Sequence, residues 1–339
     1  MAGKEQRQIS VTMDDNERYK LTKWNAFMAV SADYKAKTNN TDWDIIVAKF
    51  NRYYNQFNIM QRLEEQEVPA YLQTELDKID WETIRTAMGG GQKLPLGIKG
   101  LLSEDQAMAD MGARIIWMEI EHQGSVYEST YKVSVILARM VPHYDHLPAV
   151  QMRLYRHLYD VLDLTYISED EDLYEELIHT IKSLEARLLQ MAVSEVSDTA
   201  RMAKYILAYT GSTATEQFLM TEWQNTTHTS ERRGYAVYSL SDFYAVRQES
   251  DKLINTFAKA FTTETNAFVR FVMAVQLTSL KRKEAADAWL SELLQVLTNH
   301  EDIEEDYVNM ILFIGGIYDI EEYILIVLRK SRPETLETM

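Results

Sequence analysis

Apolar residues recur along this chain at spacings of three and four, the mark of amphipathic helices rather than strands. After a helix start at Thr41 to Asp44, Ile46, Phe50, Tyr53, Phe57 and Met60 share one face, with Lys49, Arg52, Gln56 and Arg62 largely elsewhere. Leu173, Leu177, Ile181, Leu184, Leu188 and Met191 form a second stripe. The period continues through Leu253 and Phe257, then Phe268, Phe271 and Val275, then Ala285, Trp289 and Leu293. Ser103 with Gln106, and Ser168 with Glu171, read as capping boxes. Further helices are predicted from Ser103 to about His122, from Val126 to Val141, from Pro148 onward and from Arg201 to Thr210, with Gly124, Pro142 and Gly211 as stops.

The breaks in that pattern define the organisation. Gln8 to Met13 alternates and reads as a strand or an extended arm. Residues 88–100 hold Gly89, Gly90, Gly91, Pro95, Gly97 and Gly100 and read as the clearest loop, with Lys93 and Lys99 on mobile, exposed backbone. Thr221 to Gly234 is polar and reads as the flexible or functional loop of the second half. No repeat of fixed period occurs, which disfavours a helical solenoid. The expectation is an all-α protein of two helical lobes with an interlobe cleft and an extended N-terminal arm. Its parts are the arm at 1–15, an N-terminal lobe at 16–195, a C-terminal lobe at 196–330 and a tail at 331–339.

Composition sharpens this picture. Twelve Gly and five Pro in 339 residues argue against a barrel or sandwich built on tight turns. With no Cys, the chain has no disulfide, Cys-ligated zinc, iron–sulfur cluster or thiol catalysis. The apolar stretch from Tyr307 to Leu328 is interrupted by Gly315, Gly316, Asp319, Glu321 and Glu322, so a buried helix pair is expected rather than a membrane span. The polar start, with Lys4, Glu5 and Arg7, lacks the apolar core of a secretion signal, and an intracellular or virion-interior setting is expected.

Candidate chemistry is sparse. Glu119 with His122, and Glu176 with His179, are three apart and would share helix faces in the manner of di-metal carboxylate proteins. That architecture needs two further inward carboxylates, and surface pairing is the default. His143, His146 and Asp145 lie in one polar turn without a third cluster to complete a zinc site. The glycine-rich stretch lacks the order of a phosphate-binding P-loop, and no serine-hydrolase elbow, zinc-protease or kinase signature occurs. The chain therefore reads as a binding protein rather than an enzyme, with no cofactor and no metal.

Charge directs the search for a ligand. The net charge is −17, with acidic blocks at Asp160 to Glu176 and Glu301 to Asp306, while Arg232 to Lys283 leans basic. A polarised surface can hold an anion where the local potential is positive. Basic knots at Lys93, Arg153 and Arg156, Arg201 and Lys204, Arg232 and Arg233, and Lys281, Arg282 and Lys283 have tyrosine neighbours such as Tyr155, Tyr205, Tyr209, Tyr235 and Tyr238. Cations and rings interleaved in this way suit a single-stranded nucleic acid groove, and they equally suit solvated helix faces over a tyrosine-rich core.

The run from Arg201 to Gly211, ending in Tyr209, Thr210 and Gly211, and the basic, aromatic helices after it resemble nucleoproteins of negative-strand RNA viruses of the plant-infecting rhabdovirus type. The resemblance covers residues 195–285, and the chain is short for that group. It implies two helical lobes, RNA bound between them and exchange of terminal arms between subunits. Charge and position, rather than a family motif, nominate the ten cations above as phosphate contacts. The expected function is sequence-independent coating of single-stranded RNA with self-assembly into a nucleocapsid, in the host cytoplasm and virion interior. Acidic patches would face outward or dock a basic partner. A helical scaffold binding protein partners through acidic surfaces and a di-metal carboxylate enzyme remain the alternatives.

Overall fold

The computed structural model describes residues 55–122, 125–165, 171–193, 198–314 and 319–331. The N-terminal arm, the helix face from Ile46 to Tyr53, the Ser168 cap, the break at 194–197, Gly315, Gly316 and the tail beyond Ser331 lie outside these residues. The fold is all-α. Among the described residues the only strands are β1 (Glu121–His122) and β2 (Ser125–Val126), paired antiparallel with Glu121 opposite Val126.

The chain divides into two compact units, residues 1–154 and 155–339. The division falls inside one long helix, α6 (Pro148–Thr165), whereas the sequence reading drew a boundary at 195.

The described part of the first unit begins with α1 (residues 55–65) and α2 (Ala70–Leu76). A 3₁₀ turn at Gly91–Lys93 leads into α3 (Leu94–Leu101), followed by α4 (Gln106–Ile120), the short hairpin and α5 (Glu128–Met140). The expected glycine loop is instead the buried helix α3, with only Lys99 partly exposed. Its glycines serve close packing. A Cβ on Gly100 would lie 2.7 Å from Gly112 Cα, and one on Gly112 would lie 2.3 Å from the Leu101 amide nitrogen. Glycine at both positions therefore lets the backbones of α3 and α4 touch. Pro95, in the first turn of α3, has its fixed φ suited to a helix start. The cap of α4 also differs from expectation. Asp105, rather than Ser103, accepts the Met108 amide at 3.1 Å, and the Ser103 hydroxyl accepts the Asp105 amide.

In the second unit, α7 (Glu171–Lys182) and α8 (Glu185–Ala192) divide the stripe that read as one helix. Leu177, Ile181, Leu184 and Leu188 are buried across the break. There follow α9 (Asp198–Leu207), α10 (Thr213–Gln224), α11 (Ser230–Val246), α12 (Ser250–Phe261), α13 (Ala267–Lys281), α14 (Asp287–Thr298), α15 (Glu304–Ile314) and α16 (Ile320–Ser331). The central element is α13, buried nearly all round through Phe268, Val269, Phe271, Val272, Met273, Ala274, Val275 and Leu277. It packs on α11, α12, α14 and α16. Gly234 of α11 admits the Phe268 ring, because a Cβ there would stand 2.5 Å from Phe268 Cε1.

The expected polar loop from Thr221 to Gly234 shrinks to residues 225–229. Asn225 closes an Asx turn onto the Thr227 amide at 3.1 Å, and Thr229 caps α11 by accepting the Arg232 amide at 3.3 Å. Arg232, Arg233 and Gly234 are therefore helical.

Candidate nucleic-acid interface

Three of the ten nominated cations meet at one place. Helices α9, α10 and α11 bring Arg201, Lys204 and Arg232 together around Glu222 and Glu231. Arg232 grips Glu222 with Nε to Oε2 at 2.7 Å and Nη2 to Oε1 at 2.8 Å, a bidentate fork. Lys204 Nζ approaches the same Oε2 to 3.0 Å. Arg201 pairs with Glu231 at 2.9 Å and with Asp198 at 3.4 Å. Burial pushes the Glu222 carboxyl up, but Arg232 and Lys204 more than offset this and hold its pKa below the ordinary value. Burial also draws the Lys204 ammonium below its usual range, against the pull of Glu222.

Arg233, the next residue on α11, is turned about 100° and meets a different set of partners. Its Nε donates to the Trp223 carbonyl at 2.8 Å and its fork closes on Glu264. Glu264 also caps a turn by accepting the Asn266 amide at 2.9 Å. The cations of this region are thus matched by carboxylates of the same chain. Sequence reading missed Glu222, Glu231 and Glu264 because their partners come from other helices and no local spacing announces them.

The remaining candidates are separate. Arg153 Nε donates to the Leu101 carbonyl at 3.1 Å and its Nη2 to that of Ser103, so it satisfies the open end of α3. Arg156 pairs with Asp160 one turn on, at 3.0 Å. Lys93 is exposed on its 3₁₀ turn. Lys281, Arg282 and Lys283 form a contiguous knot at the end of α13, where Arg282 and Lys283 are exposed. Among the described residues Lys281 makes only a 3.8 Å pair with Asp251, itself 92% exposed. Arg282 takes φ of 49°, a left-handed value that turns the chain sharply out of α13.

The tyrosines expected to stack bases sit in the core instead. Tyr155, Tyr205, Tyr209 and Tyr235 are buried, and the Tyr205 ring packs on Tyr159, Tyr235 and Tyr238 at centroid distances of 5.2 to 5.5 Å.

The metal premise changes as well. Helix α4 ends at Ile120 and His122 lies on β1, so Glu119 and His122 do not share a helix face. Glu176 and His179 remain together on α7. Among the described residues no group of three His, Asp or Glu could hold a metal ion. His143 stacks flat on Tyr71 with ring centroids 4.0 Å apart, and Asp145 accepts from Gln151. No described helix is long and apolar enough to cross a membrane.

No protein-family model, curated protein or solved structure matches this chain.

Proposed function

We propose that the chain is a non-enzymatic helical coat protein that binds single-stranded RNA without sequence preference and self-associates, acting in the host cytoplasm and inside the virion. The observation that supports this reading is the basic knot at Lys281, Arg282 and Lys283. Three consecutive cations follow one another where α13 ends, with one loose and solvent-exposed ion pair among the described residues. Such cations release counterions when they meet phosphate, whereas Lys204 and Arg233, already sealed against carboxylates, cannot do so without breaking buried pairs. The nominated contacts thus narrow to Lys281, Arg282 and Lys283.

A second reading, a helical scaffold that binds basic protein partners, is favoured by a different observation. Arg201, Lys204, Arg232 and Arg233 all face carboxylates of their own chain, while Glu301, Asp302, Glu304 and Glu305 are exposed at the start of α15.

One experiment separates them. The purified protein should carry RNA, seen as a high ratio of absorbance at 260 nm to that at 280 nm. Replacing Lys281, Arg282 and Lys283 by Ala should lower the magnitude of the log–log salt slope for single-stranded RNA by about 2, at about 0.7 per phosphate contact. A nucleic-acid-free protein with an unchanged slope, binding polylysine instead, would overturn the RNA reading in favour of the scaffold.

A further inference from the structure

Helix α4 turns its inner face to α3 through Gly112 and buries Met108, Ala109, Ile115, Ile116 and Ile120. Its outer face departs from an ordinary solvated surface. Trp117 is 41% and Met118 48% exposed, two of the most exposed large apolar side chains among the described residues. Exposed Ala113 lies one turn from Trp117, and exposed Ala107 lies at the other end of the face.

The charges on this face are unusual in being unspent on each other. Asp110 and Arg114 lie one turn apart, a spacing that permits an ion pair, yet they form none. Arg114 has no ion pair or hydrogen bond among the described residues. Asp110 accepts from Gln106 at 2.7 Å through Oδ1; burial holds the Arg153 guanidinium below its usual range, and the nearby Asp110 charge opposes that shift.

The spacing of these residues is symmetric and their chemistry complements itself on reversal. Ala107, Asp110, Arg114 and Trp117 follow at intervals of three, four and three, reading small, acidic, basic, large. An antiparallel copy of the same helix inverts that order. Each Asp110 then faces an Arg114, and each Trp117 indole lies over an Ala107, on both sides of a twofold axis. A surface that complements itself under a twofold rotation is what an isologous dimer requires. Trp, Met and Arg, all present on this face, are enriched at protein interfaces relative to the rest of the surface.

We infer that the outer face of α4 is a self-docking surface, on which two copies of this chain pair antiparallel through reciprocal Asp110–Arg114 ion pairs and Trp117–Ala107 contacts. The occupant is a second copy because both the charge order and the size order complement themselves. A single helix face makes a small contact of the transient class, so association is sought at micromolar concentration. The contact is independent of RNA binding and of the Lys281 to Lys283 knot.

The test uses the full chain, nuclease-treated, at low salt, in sedimentation velocity over about 1–100 μM. The protein should pass from monomer to dimer in that range. Asp110→Arg alone and Arg114→Asp alone should each weaken association at least tenfold, by setting like charges opposite one another. The double variant Asp110→Arg with Arg114→Asp should restore it, because both ion pairs reform with their signs exchanged. All these side chains are exposed, and circular dichroism of each variant should match the wild type. A monomer throughout, or a dimer indifferent to all three variants, would overturn the inference. So would a fluorescence difference between wild type and Trp117→Phe that is already shielded from acrylamide in the monomer, which would mean that the face is covered within one chain.

Discussion

Lys204 Nζ and Glu222 Oε2 meet at 3.0 Å with their side chains only 4% and 6% exposed. Arg232 shares the same carboxylate, so one Glu holds two cations from two other helices. The arrangement ties α9, α10 and α11 together through charge where the surrounding core is tyrosine and leucine.

The first prediction concerns that carboxylate. Glu222→Gln strands the buried Lys204 ammonium and frees the Arg232 fork. Such uncompensated burial is expected to reduce stability by about 3–5 kcal/mol. Arg232→Gln leaves Glu222 with Lys204 and should lose only about 1–3 kcal/mol. Urea unfolding of the two variants, compared at constant slope, checks the order.

Gly112 supplies the second. Any Cβ there meets backbone atoms of Gly100 and Leu101 at 2.6 and 2.3 Å, and backbone cannot rotate aside. Gly112→Ala should separate α3 from α4 and destabilise by about 1–3 kcal/mol or more, although alanine is the better helix former. Thermal unfolding would show a lower midpoint.

A pH dependence follows from His157 on α6. Complete burial holds its imidazole down at about 4, below the ordinary 6.5. Between those values the unfolded chain binds a proton that the folded one refuses. Stability is therefore fully present above pH about 6.5 and falls, by up to ~1.4 kcal/mol per unit from this group, as pH drops toward 4. Subtracting the stability curve of His157→Gln from that of the wild type should isolate this slope, and it should vanish above neutrality.

Thr229 provides the fourth test. Its hydroxyl accepts the Arg232 amide at the start of α11. Thr229→Ala should lose about 1 kcal/mol in denaturant unfolding, and Thr229→Asp should recover it.

The helical class was legible because its signal is local. Val133, Ile136, Leu137 and Met140 on α5, or Leu253, Phe257 and Phe261 on α12, repeat at the period of a helix and are buried where that period puts them. Capping signals were legible to within a residue or two, as the shift from Ser103 to Asp105 shows. Glycine was the misleading residue. At 89–100 it read as flexibility, yet in α3 it marks a backbone touching another helix. The difference depends on Gly112, a residue on the next helix.

The candidate interface was legible as a list of cations but not as a surface. From the sequence alone, Arg232 and Lys283 carry the same charge in similar company. Folding sets Arg232 in the grip of Glu222 and leaves Lys283 in water.

Periodicity and capping were decided by the order of residues, since each depends on neighbours within about one turn, and the absence of cysteine by composition alone. Which cations remain available, which tyrosines face inward and which glycines mark contact were decided only by the tertiary structure. Electrostatic pairing and close packing depend on distance in space, and here the partners lie on different helices of the fold.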